Sequence, residues 1–375
     1  MNTKNIIILV AGVVVVVMAI QSRSRRAEQV PSPGQTGPVS TRSTPRPRLP
    51  APRMPVALAS VPEAQPSGLE HTNVFARLVK EDGELPKLSR DQVESYLAAN
   101  RRSAESLLAA FRLAGDRSLL QEAAEKYPNN PSVNYAGWIA ARMKDDASPG
   151  ERRQWLEAFK QSAPDNALAN YLLAQDCFQS GQTDQAVEEL IAAASKAKFQ
   201  DYSADCAQNL EEAYLSAGYS ETEAKAAGAY SVWLPNLSDL KELGHSVGEL
   251  AKLYRQGGDE ASAQAALQMG VTLGQRLTEP AGQRLLVYDF SGLALERRIL
   301  ETLDPASPYD AAGHSVNDRL DELRQQVEAN KALWKQADPV LQNMSDQELI
   351  RYFDRMKTFG ESEALRWVMS RHGNR

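Results

Sequence analysis

The sequence predicts an all-α fold: helical hairpins stacked into a superhelix, an α-solenoid, behind an N-terminal membrane helix and a disordered Pro-rich linker. Three observations predict it. Ala167–Ala193 carries Leu168, Tyr171, Leu172 and Phe178 at helical spacing, then Gly181, then a second helical face at Ala186, Leu190 and Ala193. Gly181, Gly218 and Gly258 recur down the chain, behind the pairs Leu173/Cys177, Leu210/Tyr214 and Leu250/Tyr254. No stretch beyond Leu69 sustains the period-two alternation of a strand. A lone helix–turn–helix cannot bury its apolar faces, so each must stack on others like it.

Residues 1–5 form a short tail, and Ile6–Ile20 is an uninterrupted apolar run. As a helix it spans about 22 Å, short of a hydrocarbon core of about 30 Å, so a secretory h-region competes with a membrane anchor. The next residues, Gln21-Ser22-Arg23-Ser24-Arg25-Arg26, offer no small-residue cleavage site, which favours an uncleaved single-pass anchor in the cell membrane. Arg23, Arg25 and Arg26 favour a cytoplasmic body by the positive-inside rule, while export would place it on the other side. Residues 21–68 follow as a tether. Ten of the twenty prolines fall between Pro31 and Pro66, and Pro45-Arg46-Pro47-Arg48-Leu49-Pro50 removes backbone donors and favours polyproline conformations. That run has two readings, a solvated spacer or a ligand for a proline-binding groove or anionic headgroups.

Helical repeats are expected over 69–277. Ser89-Arg90-Asp91-Gln92 starts a capped helix with Val93, Tyr96 and Leu97 on one face. Ala104–Ala114, a turn at Gly115-Asp116 and Ser118–Tyr127 follow, closed by Pro128-Asn129-Asn130-Pro131; Pro164-Asp165-Asn166 repeats that turn. Residues 278–375 read as a helical extension or cap. It holds an apolar helix over Arg284–Leu303, a loop at Asp304–Gly313, and a Ser315-capped helix. That helix is striped by Val316, Leu320, Leu323, Val327 and Trp334, either packed on its neighbours or a seam for a homo-oligomer. A second capping box, Ser345-Asp346-Gln347-Glu348, opens a closing pair of helices separated by Gly360.

The hairpins resemble tetratricopeptide (TPR) repeats. Leu173-Ala174, Cys177, Gly181, Ala186, Leu190 and Ala193 stand where that family has its large–small pair, aromatic, turn glycine and packing alanines. Leu250-Ala251, Tyr254, Gly258, Ala263, Leu267 and Gly270 repeat the series. Trp138 and Glu211 depart from it at positions the family keeps small. The resemblance implies a TPR-like helical superhelix whose first helices line a concave groove for a protein or peptide ligand. Its wall would be Tyr135, Ile139 and Arg142, then Leu168, Tyr171, Gln175, Phe178 and Gln179. Gln208, Glu212 and Leu215 would follow, and Lys252, Arg255 and Gln256 would end it.

Charge is unevenly placed. Residues 1–66 carry +6 and the remainder −12, and an acidic body argues against nucleic acid as a partner. Cys177 and Cys206 fall on neighbouring first helices about 10 Å out of step, so two small thiols are expected rather than a disulfide. His71, His245, His314 and His372 lack metal-ligand spacing, and no phosphate loop or nucleophile elbow is present, so no metal, cofactor or catalytic residue is expected. The leading expectation is a membrane-tethered scaffold that binds a protein partner. A self-associating structural protein is the alternative, and an exported all-α enzyme a weaker one.

Overall fold

The computed structural model describes residues 73–75, 87–144, 148–279, 285–307, 309 and 313–372, and the expected anchor and linker lie outside them. Among the described residues there are fifteen α-helices and no strand. No described helix is long and apolar enough to cross a membrane.

The first five hairpins follow the predicted punctuation. Helices α1 (Arg90–Ala99) and α2 (Ala104–Ala114) precede α3 (Arg117–Lys126), α4 (Pro131–Arg142) and α5 (Pro149–Ser162). Then come α6 (Ala167–Gln179), α7 (Thr183–Ala194), α8 (Ser203–Ser216), α9 (Glu221–Tyr230), α10 (Asn236–Gln256) and α11 (Glu260–Thr278). Ser89 and Ser220 close capping boxes, satisfying backbone donors that the first turn leaves without partners. Asn130 and Asn166 cap α4 and α6 in the same way. The recurring glycines act as one device: Gly181, Gly218 and Gly258 sit at φ of 71°, 90° and 78°, a left-handed turn that glycine enters without a Cβ penalty.

Stacking begins as predicted and then departs. Hairpins α2–α3, α4–α5 and α6–α7 pack in sequence, but α8 does not continue the stack. It crosses back to pack on α1 and α2, while α10 takes the vacated place beside α6. The Tyr96 hydroxyl donates to the Asn209 carbonyl at 3.2 Å and Gln92 to the Ala217 carbonyl at 3.0 Å, fastening α8 to α1. The α8–α9 hairpin thus folds inward, and α9 meets α14 on its far side.

The C-terminal helices are α12 (Leu286–Leu300), α13 (Val316–Leu341), α14 (Asp346–Phe359) and α15 (Glu361–His372), with the predicted cap at Ser315, which closes a box with Asp318, and the predicted capping box at Ser345. One continuous apolar core runs across the change of character near Leu277, joining Tyr135 and Leu168 to Leu293, Leu323 and Val368. Helices α11 and α12 approach closely, so that a Cβ on Gly292 would lie 2.5 Å from the Gly274 carbonyl oxygen. Val316, Leu320 and Leu323 are buried within the chain, and Val327 and Trp334 are half-buried. The stripe offered as an oligomer seam is therefore covered by the chain's own helices, chiefly α12 and α15. Asn73 donates to the Leu341 and Met344 carbonyls at 2.8 Å each, and Phe75 packs beside Tyr230 and Trp334, so residues 73–75 dock against α13 and the end of α9.

Buried charge is placed at junctions between elements. Glu296 of α12 is fully buried and accepts from Arg319 of α13 and from the Tyr309 hydroxyl. Lys225 of α9 pairs with Glu211 of α8 and Asp354 of α14. Glu361 accepts from the Leu286 backbone N–H at 2.7 Å, and burial pushes its carboxyl up to about 7, helped by Asp289 and opposed by its two donors.

Gly292→Ala should cost about 1–2 kcal/mol in urea unfolding, because its methyl meets backbone that cannot turn aside. Gly248→Ala, with nothing within 4 Å, should instead gain up to about 1 kcal/mol from helix propensity. Glu361 binds a proton more tightly folded than unfolded, so stability is full below about 4.5 and falls as pH rises towards about 7. That loss should be about 3 kcal/mol and should vanish in Glu361→Gln, measured as unfolding free energy from pH 4 to 8.

Candidate functional site: a cleft between α2, α4 and the start of α8

Displacing α8 leaves a cleft. Where α8 begins against α2 and α4, a cavity of about 280 Å³ remains. Ala104, Leu108 and Arg112 project from α2 at intervals of one turn, and Ser132, Tyr135 and Ile139 do so from α4. Asp201, Tyr202, Asp205 and Cys206 come from the start of α8, and Trp233 from the connection to α10.

The junction that holds this wall is built of polar contacts. Asn166 accepts from the Gln200 N–H at 3.0 Å and donates to its carbonyl at 2.7 Å, pinning the α7–α8 connection to the start of α6. Asp201 accepts from the Ser203 N–H at 3.0 Å, from Asn236 at 3.4 Å and from the Tyr288 hydroxyl, tying the start of α8 to α10 and α12. Tyr202 follows at φ 57°, a left-handed conformation uncommon for a bulky residue. Its ring packs on Phe159 and Tyr135 at centroid distances of 6.0 and 6.2 Å, contacts that hold the backbone there.

The cleft has aromatic walls and an acidic rim. Tyr135, Tyr202 and Trp233 line it, and the Arg112 guanidinium lies 4.2 Å from the Trp233 ring centroid. One Arg112 nitrogen, Nη1, is buried with no hydrogen-bond partner. Glu105 and Asp205 are exposed at the mouth, with Asp201 half-buried behind them. Desolvation and then the Asp201 and Glu105 carboxylates raise Asp205 above the ordinary aspartate range. Burial also raises the Cys206 thiol, against the opposing pull of Arg112. A neutral thiol facing a guanidinium, which cannot take its proton, is poorly set for nucleophilic attack. The groups present suit binding: carboxylates for a cation, ring faces for apolar or planar groups, and a guanidinium donor for a carbonyl.

Among the sequence-predicted groove residues, Tyr135, Ile139 and Gln208 line this cleft. The others lie elsewhere. Tyr171 is 1% exposed and Gln175 4% exposed, because α10 packs over the face of α6 that a regular superhelix leaves open. Phe178 is half-buried against the main core. Arg142 donates to both Asp239 oxygens, at 3.1 and 3.2 Å. Arg255 bonds Glu260 and the Thr302 carbonyl, Lys252 pairs with Glu249, and Glu212 accepts from Gln208. The presumed wall is thus a core helix flanked by internally paired charges. Arg112, Asp201, Tyr202, Asp205, Cys206 and Trp233 were missed as site residues, because only the return of α8 to α2 brings them together. Cys177 and Cys206 are both free thiols. Among the described residues no group of three His, Cys, Asp or Glu side chains is placed to hold a metal ion.

No protein-family model, curated protein or solved structure matches the chain.

The buried Tyr171 hydroxyl has no hydrogen-bond partner. Tyr171→Phe should therefore leave stability equal or slightly higher, whereas Tyr171→Ala should cost about 3–5 kcal/mol, read by chemical unfolding.

Proposed function

We propose that the chain is a membrane-tethered helical-repeat scaffold, TPR-like in its hairpins, that holds an extended peptide segment of a protein partner in the α2–α4–α8 cleft. The observation that carries this reading is the composition of the cleft: three aromatic side chains and an acidic mouth around one cavity. Its volume is at the low end for small-molecule sites, which suits a few side chains of a longer ligand. Supporting the tether is the apolar run Ile6–Ile20 followed by basic and proline-rich sequence.

The mouth carries negative charge, so the preferred segment is basic. Calorimetric titration of the full chain in detergent, with extended decapeptides that are basic, neutral or acidic, tests this. Basic peptides should bind, more weakly as salt rises. Combining Glu105→Lys with Asp205→Lys should weaken them by about tenfold, while Tyr171→Phe leaves binding unchanged. Equal binding of acidic peptides, or unaltered binding by the double variant, would overturn the assignment.

A further inference from the structure

The occupant of the cleft is encoded in the same chain. We infer that the cleft binds the protein's own proline–arginine segment, residues 45–55, in cis; this rests on the peptide-binding reading above. The segment, Pro45-Arg46-Pro47-Arg48-Leu49-Pro50-Ala51-Pro52-Arg53-Met54-Pro55, lies outside the described residues. Its chemistry complements the cleft at two points.

First, its arginines face an acidic mouth. Glu105 and Asp205 stand exposed at the rim with Asp201 behind them, and the first 66 residues carry +6 against −12 in the rest of the chain. Arginine also suits such a mouth geometrically, because its planar fork meets carboxylates two bonds at a time. Second, prolines in an extended helix dock on aromatic faces, and Tyr135, Tyr202 and Trp233 supply them.

The connection is long enough. Asn73 is fastened to the Leu341 and Met344 carbonyls, and about twenty residues separate it from Arg53. Extended, they reach about 65 Å, against a radius of gyration of about 19 Å for a domain of this size. A segment so tethered acts at an effective concentration near millimolar, so modest intrinsic affinity fills the cleft. Occupancy in cis takes the segment out of the tether and makes any partner peptide compete for the site. The cleft is thereby autoinhibited, and the same contact draws the body towards the anchor.

Cys206 lines the cleft, and although its thiol reacts slowly, the ratio of its labelling rates between variants at one pH reports on occupancy. In the full chain in nanodiscs, the rate of maleimide labelling at Cys206, mapped by mass spectrometry, should rise at least threefold in the combined Arg46→Glu, Arg48→Glu, Arg53→Glu variant. A Leu49→Cys variant should form an intramolecular cross-link to Cys206 with a short bis-maleimide, and a Gln35→Cys control should not. Added peptide 45–55 should slow Cys206 labelling more in the charge-reversed chain than in wild type. A cross-link found only between two chains, or equal cross-linking of the control, would overturn occupancy in cis. Unchanged labelling in the charge-reversed chain, with protection by added peptide, would overturn the cis contact and leave the peptide-binding cleft standing. Absence of both effects would remove the cleft assignment itself.

Discussion

The structure depends on where α8 is sent, and that direction is set at Asp201. Its carboxylate accepts from the first turn of α8, from Asn236 of α10 and from Tyr288 of α12, so three helices converge on one acceptor. Charge-assisted bonds of this kind are about twice as strong as neutral ones, and their directions are fixed. Beside it, Tyr202 holds a left-handed backbone that turns the chain away from the growing stack. Asn166 clamps the approach to this corner against the start of α6. A regular superhelix would place α8 against α6; this corner places it against α2 instead.

Everything downstream follows from that diversion. With α8 gone from its place, the apolar face of α6 would be left bare, at about 1.5–3 kcal/mol for each large side chain left in water. The long helix α10 covers it, which is why Tyr171 and Gln175 end in the core. The inward hairpin α8–α9 then becomes the hub that α1, α2 and α14 pack against, and Lys225 links it to α14 through Asp354. Small residues make the close contacts affordable: a Cβ on Gly228 would sit 2.5 Å from the Ala207 carbonyl, so α9 could not lie as close to α8 with any larger residue there. The cleft is a by-product of the same geometry, a gap where the start of a crossing helix fails to fill the angle between α2 and α4.

Helix positions and caps were legible because they rest on local chemistry. Ser89 and Ser345 cap the helices that their spacing to Gln92 and Glu348 announces, and Ser315 caps its helix as expected. Val93, Tyr96 and Leu97 are buried as their period requires, and the turn glycines at 115, 181, 218, 258 and 360 hold positive φ. The site was legible only in part. Tyr135 and Ile139 share a face of α4 that points inward in either arrangement, and so they reach the cleft. Tyr171 carries the same local pattern but is covered by a helix about seventy residues away in sequence, which no window on α6 can report. The stripe on α13 is ambiguous for the same reason. An apolar face records that something covers it and carries no record of whether that partner is a second copy or, as here, α12 and α15.

By itself the sequence determined the helices, their ends, the hairpin as the building unit and the separation of basic N-terminal charge from an acidic body, since each depends on residues within about one turn or on simple composition. Only the tertiary structure decided which hairpins are neighbours. That choice rests on contacts such as Asp201 to Tyr288 and Gly274 to Gly292, where the participants are distant in sequence or meet through backbone atoms that every residue shares. Packing order is a competition among similar apolar faces, and a few polar contacts at a corner were enough to settle it.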